Sequence, residues 1–486
     1  MKKTILFFLF LTTYYSFSQE IISSTPVELK KNRDVFQTVN DNNNKVTLFV
    51  SDKVKVKAIQ LDHKMQVEDS ISVERPNPRT YDLMIGYNLS NDHTRLFWAS
   101  DDFTDIYAQL FDFSTRKVVT QQYPLVLKDE KVLQQFSEND NFYILTVVKK
   151  SNLFKLHIFD KNGVYQERTI SLDGFHFFKL NYVKSNLYGV LDENLLPFEG
   201  PMTLQYINTD NPTSLADSSK RRKCYFDKKQ LVITIDLNTD FTQVILIDLE
   251  KFTASEKIIK SNSISKMSSS GFPVKISSNS FFIDNKLYQV KTSSDQFYFT
   301  INDLEGNVIK EYSTTSDSPI EFKNSDIHQE GGGFGGSRTL ETSSQFLRKI
   351  NNLHTGLSCY HVGENTLVTF GGISAQQQAV SPMFMGGGFV GVAASAFAGA
   401  AIGYYNSTLN NFNSYANRKV VKIDGLFDKD GNHITGDLQP LAFDKIRTFF
   451  DKNNDVSSQT LFKIDAYYLG YYDNNSKEYI IRQFID

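Results

Sequence analysis

Cysteine is close to absent: Cys224 and Cys359 are the only two in 486 residues. That excludes a disulfide-built scaffold, and without a Cys-x-x-Cys pair it excludes a cysteine zinc site. The two fall in repeats two apart, which makes a bridge between them geometrically hard. A strong charge of either sign is missing too. The formal net charge is −3, and removing Lys2 and Lys3 with the leader described below takes it to −5 (−3 − 2). This balance argues against a nucleic-acid role. The one basic run, Lys220-Arg221-Arg222-Lys223, lies beside a strand and reads as a solvated strand edge rather than a phosphate site.

The motifs of common chemistries are missing as well. There is no His-Glu-x-x-His, no Gly-x-Ser-x-Gly, and no glycine run leading into Lys-Ser or Lys-Thr. His354 and His361 stand seven apart and His328 precedes a glycine-rich stretch; they read as isolated strand or loop histidines. No catalytic residue, metal ligand or cofactor is expected. One loop beside the single tryptophan, Trp98, is acidic: Asp101-Asp102-Phe103-Thr104-Asp105. With Trp98, its Asp101, Asp102 and Asp105 form a possible ligand loop. It lacks the glycine and final glutamate of a calcium loop, and a solvated turn is the plainer reading.

What is present begins with a leader. Lys2 and Lys3 precede an apolar run from Ile5 to Leu11, and Ser16-Phe17-Ser18 follows. This is the layout of a secretory signal peptide over residues 1–18, and the run is short for a membrane span. The mature chain, 19–486, is then expected outside the cytoplasm.

A phrase recurs through that chain: large apolar residues ending in an acid or amide, then a turn. It reads Ala58-Ile59-Gln60-Leu61-Asp62, Gln109-Leu110-Phe111-Asp112, His157-Ile158-Phe159-Asp160 and Gln205-Tyr206-Ile207-Asn208. It continues as Ile245-Leu246-Ile247-Asp248, Thr300-Ile301-Asn302-Asp303, Gly425-Leu426-Phe427-Asp428 and Gln483-Phe484-Ile485-Asp486. The third copy predicts four strands, at 132–136, 142–148, 153–159 and 164–170, with Asn162-Gly163 in the last turn. Four antiparallel strands per 40 to 55 residues is the period of a propeller blade. The last copy stops at Asp486 without a fourth strand, and the segment 25–30 is expected to supply it.

In this pattern the chain resembles the β-propeller superfamily, without the signatures of any subfamily. The resemblance implies an all-β fold of eight four-stranded blades, with seven as the alternative. The N-terminal strand would close it, and the last three repeats would carry insertions. Those insertions are expected at 313–355, with a helix burying Phe346, Leu347, Ile350 and Leu353; at 374–417; and at 433–458, with a helix turning Leu441, Ile446 and Phe449 or Phe450 inward.

The middle insertion departs furthest from the rest. No charged residue occurs between Glu364 and Arg418. Gly387, Gly391, Ser395, Gly399 and Gly403 recur every four residues, so on a helix they would line one face. Such a stripe lets another backbone approach closely. Three readings stand: a helix packed on its own propeller, a hairpin that docks a partner or a second copy, and direct membrane insertion. The polar return path 406–417 runs against the last. The expected contact residues are Phe384, Gly387, Phe389, Gly391, Ser395, Phe397, Gly399 and Gly403. The function this predicts is non-enzymatic binding or scaffolding in the bacterial envelope, periplasmic or at the outer membrane, with an envelope protein as partner. The alternative is a propeller enzyme acting on glycans or peptides.

Overall fold

The computed structural model describes residues 19–26, 34–40, 45–52, 54–81, 83–90, 93–138, 140–227, 229–267, 271–331, 336–375, 418–453 and 456–486. The leader and the expected contact residues Phe384, Gly387, Phe389, Gly391, Ser395, Phe397, Gly399 and Gly403 lie outside the described residues. The chain forms two compact units, Met1–Arg75 with Gln439–Asp486, and Pro76–Leu438. Among the described residues it is all-β with few helices. Five sheets have four strands, two have five and one has two. The repeated four-strand antiparallel sheet is the propeller-like element that the phrase predicts.

The acid that ends the phrase has a mechanical role. It stands at the close of the third strand, and its carboxylate accepts backbone N–H groups from the turn that follows. Asp160 Oδ1 takes the amides of Asn162 and Val164 at 2.9 and 2.7 Å. Asp303 takes those of Glu305 and Asn307, and Asp428 those of Asp430 and Asn432, at 2.8 to 3.0 Å. Asp62, Asp112 and Asp248 cap their turns in the same way. A short acceptor that satisfies two turn amides is why aspartate recurs here. Gly163, Gly306 and Gly431 supply the left-handed residue in three of these turns, with φ of 80 to 86°.

In the smaller unit, the strands Asp34–Asn40, Lys45–Ser51, Lys55–Leu61 and Val67–Glu74 form one sheet. Val456–Lys463, Tyr467–Asp473 and Glu478–Phe484 form the other, and Gln19–Pro26 completes it antiparallel to Glu478–Phe484. The strand that completes this sheet therefore comes from near the start of the chain as expected, but at Gln19–Pro26 rather than 25–30. Leu48, Ile59, Leu61, Tyr468, Tyr479 and Ile481 fill the space between these sheets. The helix Ala442–Lys452 buries Ile446, Phe449 and Phe450, and Phe449 lies 5.3 Å from Tyr471.

In the larger unit, two four-strand sheets follow the repeat closely: Leu83–Ser90 through Lys117–Pro124, and Glu130–Glu138 through Tyr165–Ser171. They pack through Phe97, Phe142 and Phe159, with Phe97 and Phe142 4.7 Å apart. A Cβ on Gly86 would come within 2.1 Å of the Phe142 ring, so only glycine admits that ring. Ser277–Ile283 through Val308–Thr315 form a further four-strand sheet.

The fourth copy behaves differently. Gln205–Ile207 does not build a sheet of its own; it adds parallel to Arg222–Asp227, at the edge of the sheet that ends with Thr253–Lys260. Around it stand the two-strand ladder Phe177–Phe178 with Lys184–Ser185 and the short helices Leu187–Leu191 and Leu215–Ser218.

The seventh copy is completed from an earlier segment. His354–Val362, Asn365–Ile373 and Val420–Phe427 are its first three strands, and Ile327–Glu330 pairs with the third, backed by Ser337–Leu340. Part of the expected insertion 313–355 is thus the outer edge of a sheet. Its helix, Ser343–Asn351, is capped by Thr342 and buries Phe346, Leu347 and Ile350.

Candidate functional site

The insertion expected at 374–417 springs from a strand pair whose structure is well defined. Ile373 and Val420 are partners in the ladder. The Ser374 amide donates to the Lys419 carbonyl at 2.9 Å, the Lys419 amide returns to Ser374 Oγ at 3.0 Å, and Arg418 Nη1 donates to the Ser374 carbonyl at 3.1 Å. The two ends of the insertion are clamped together.

Glycines shape the ground beside this clamp. Gly356 and Gly371 are cross-strand partners, so they open the same face of the sheet. A Cβ on Gly356 would lie 2.7 Å from Ser219 Cβ, and one on Gly371 would lie 2.3 Å from the Val421 carbonyl oxygen and 2.8 Å from Leu215 Cδ1. Gly372, one step along, would meet Ile350 Cα at 3.0 Å. Missing side chains therefore let the short helix Leu215–Ser218 seat on the sheet directly. Phe198, Leu215, Ala216, Ile373 and Val420 make a small apolar cluster at that seat.

Cations gather on the Phe198 ring. The imidazole of His354 stacks on it at 3.9 Å, Lys220 Nζ stands 4.1 Å from its centroid, and Arg418 Cζ 6.0 Å. Burial pushes the Lys220 ammonium below its usual range, and pushes Arg221 and Arg418 down in the same way. His354 is driven down to about 4, first by burial and then by the charges of Arg221, Lys220, Lys275 and Arg418. Asp217, the acid facing Lys220 and Arg418, is raised by burial.

The basic run is therefore not a solvated edge. Arg222 and Lys223 are fully buried. Arg222 Nε donates to Glu199 Oε1 at 2.6 Å, and its other nitrogens reach the carbonyls of Val190, Leu191, Glu193 and Gly200. Lys223 Nζ meets Asp236 at 2.8 Å and Asn279 at 2.9 Å. The strand Arg222–Asp227 turns its first two cations inward because buried acceptors await them. Arg221 and Lys220, one and two residues earlier, are only half-buried. His354, read from the sequence as an isolated histidine, has neighbours on Phe198 that come from distant stretches of chain.

A second polar cluster lies among Glu130–Glu138, Leu153–Phe159 and Tyr165–Ser171. Glu130 Oε2 accepts from Thr146 at 2.6 Å and faces His157 Nε2 at 3.0 Å; His157 Nδ1 faces the Tyr165 hydroxyl at 2.9 Å. Glu130, His157 and Glu167 bring three ligand atoms within 4.8 Å of one another. The Lys155 ammonium lies 2.9 Å from both carboxylates, in the place a cation would take. With Glu130 and His157 buried, this cluster braces the sheet.

In the acidic loop, Asp102 Oδ1 accepts from Ser100 Oγ, Thr104 Oγ1 and the Thr104 amide at 2.8 to 3.2 Å. Asp105 accepts from the Tyr81 hydroxyl at 2.7 Å. Asp101 is exposed, and Trp98 is buried in its strand. Cys224 and Cys359 are both free and buried, in different core clusters.

No family model and no curated protein matches the chain. Among solved structures it is similar to an apocarotenoid oxygenase of Synechocystis at 7% identity, over 60% of this chain and 64% of that one, with a TM-score of 0.30. The chain spans less than two thirds of that enzyme's length. It is similar to a prolyl endopeptidase at 9% identity, over 93% of this chain and 48% of that one, TM-score 0.33. A third likeness is to the hydrazine synthase of Kuenenia stuttgartiensis, at 10% identity over 95% and 99%, TM-score 0.28. Likeness this loose says nothing about activity.

Proposed function

We propose that this is an exported, non-enzymatic binding or scaffold protein of the bacterial cell envelope, which docks a membrane-associated partner protein through the uncharged insertion. One observation carries the reading: no charged residue occurs between Glu364 and Arg418, and the two strands that flank 374–417 are clamped by Ser374, Arg418 and Lys419. A clamped root holds an apolar segment in place for a partner at lower entropic cost than a loose linker would. The leader pattern of residues 1–18 supports export, and the small-residue spacing from Gly387 to Gly403 supports close backbone docking. On this reading the repeated sheets follow the propeller plan with seven full blades, and Gln205–Ile207 serves as an extra edge strand.

The test is to extract the full chain from native membranes in mild detergent and measure its assembly mass by light scattering. The intact protein should run as a stoichiometric complex with one envelope protein, and a variant lacking residues 383–405 should run as a folded monomer. A monomeric intact protein that turns over a glycan or peptide would overturn the proposal in favour of an enzyme.

A further inference from the structure

The cations around the stacked pair of Phe198 and His354 outnumber the acids available to them. Glu199 is committed, with one oxygen on Arg222 Nε and the other on the Arg221 amide. Asp236 is committed to Lys223, Thr242 and Ser280. That leaves Asp217 to face Lys220 and Arg418, while Arg221 and Lys275 join these two around His354. Among the described residues none of these four cations forms an ion pair. Lys220 Nζ donates to the Phe198 carbonyl, Arg418 Nη1 to Ser374 and Arg221 Nη1 to Leu237 at 3.5 Å. Each guanidinium carries five donors in a fixed fork, so most of that capacity is unspent among the described residues. Like charges held at a half-buried place repel unless a counter-charge joins them.

We infer that Lys220, Arg221 and Arg418, gathered around the stacked pair of His354 and Phe198, form with His354 a binding site for a phosphate group. Two guanidiniums and an ammonium match the three oxygens of a phosphate better than a single carboxylate. The apolar floor of Phe198, Leu215 and Val420 lowers the local dielectric and strengthens the attraction. The phosphate would belong to a soluble anion or to a lipid headgroup. The site stands on described residues alone and does not need the docking of the insertion.

The experiment follows the His354 ring proton by NMR in the full mature chain, at constant ionic strength, with inorganic phosphate replacing chloride. His354→Gln assigns the signal. Bound phosphate should raise the His354 midpoint from about 4 toward 6.5, because a nearby anion favours the imidazolium. Arg221→Gln and Arg418→Gln should each weaken phosphate binding about tenfold or more, the worth of a charge-assisted hydrogen bond. Vesicles of phosphatidylcholine with one fifth phosphatidylglycerol separate the sources. Sedimentation of the protein with them, reversed by free phosphate, identifies a headgroup; binding of free phosphate alone identifies a soluble ligand. A His354 midpoint indifferent to phosphate in the intact protein would overturn the inference. So would folded arginine variants that bind phosphate as tightly as their parent. If either variant fails to fold, the midpoint in the intact protein decides.

Discussion

Arg222 is surrounded by protein on every side, so its charge depends on Glu199 and four carbonyl oxygens. Replacing Arg222 by Met would strand the Glu199 carboxylate in the interior. The expected loss is about 3–5 kcal/mol, read from urea unfolding, and replacing Glu199 by Met as well should recover much of it. Glu130 gives a pH-dependent case. Burial pulls its pKa up, but hydrogen bonds from Thr146, His157 and Lys155 win and hold it low. A carboxylate depressed in the folded state adds stability above its unfolded pKa, and loses it as pH falls through the folded value. His354 acts in the same direction for another reason. With its folded value near 4 against 6.5 in the open chain, the unfolded state binds more protons between those values. Stability should therefore drop as pH falls from about 6.5 to 4, and His354→Gln should flatten that part of the melting curve. Neither residue's role was legible in the sequence. Lys220-Arg221-Arg222-Lys223 looks solvated by composition, and only acceptors 13 to 56 positions away turn part of it inward.

At the scale of elements, two glycines facing one another decide where the short helix Leu215–Ser218 can sit. Gly356→Ala would drive a methyl group to 2.7 Å from Ser219 Cβ and 2.9 Å from its Cα. Overpacking of this kind costs about 1–3 kcal/mol, visible as a lower thermal midpoint. The stacking of Phe198 on His354 should loosen with it, shifting the His354 titration. The turn aspartates make a separate prediction. Asp303→Ala removes an acceptor of two backbone amides and should speed amide exchange at Glu305 and Asn307 without unfolding the neighbouring sheets. These hairpins were readable because their signals are local: an acid, an Asn-Gly or Gly-Asn turn, and strands on both sides. The helices Ser343–Asn351 and Ala442–Lys452 were readable from apolar spacing for the same reason. The pairing of Gln205–Ile207 with Arg222–Asp227 was not, since period says nothing about whether a neighbour runs parallel. Nor was the outer strand Ile327–Glu330, which joins a sheet whose other strands follow it in the chain.

At the scale of the whole molecule, the repeat was the strongest signal and the insertion at 374–417 the strongest departure from it. Both are compositional, so both survive reading without coordinates. The ground beside the root of that insertion is three-dimensional, built from segments near positions 198, 219, 354 and 418, and no spacing rule joins them. The closing strand offers a test at this scale. Deleting residues 19–26 should leave Glu478–Phe484 as an open edge with unpaired amides and carbonyls. The expected result is a less stable protein that self-associates at high concentration, seen by sedimentation velocity, while the signature of the larger unit in amide exchange stays unchanged.

That closing strand also sets a clock. Ser24 bonds to Glu478 across 454 positions of sequence. At about 5–20 residues per second, roughly 20 to 90 s of synthesis separates the two partners. For that interval Ile21 and Ser23 have no ladder to join, and the first of these strands to appear is among the last to find its place. A chaperone that shields those few residues while the rest emerges would govern the yield of folded protein far more than their number implies.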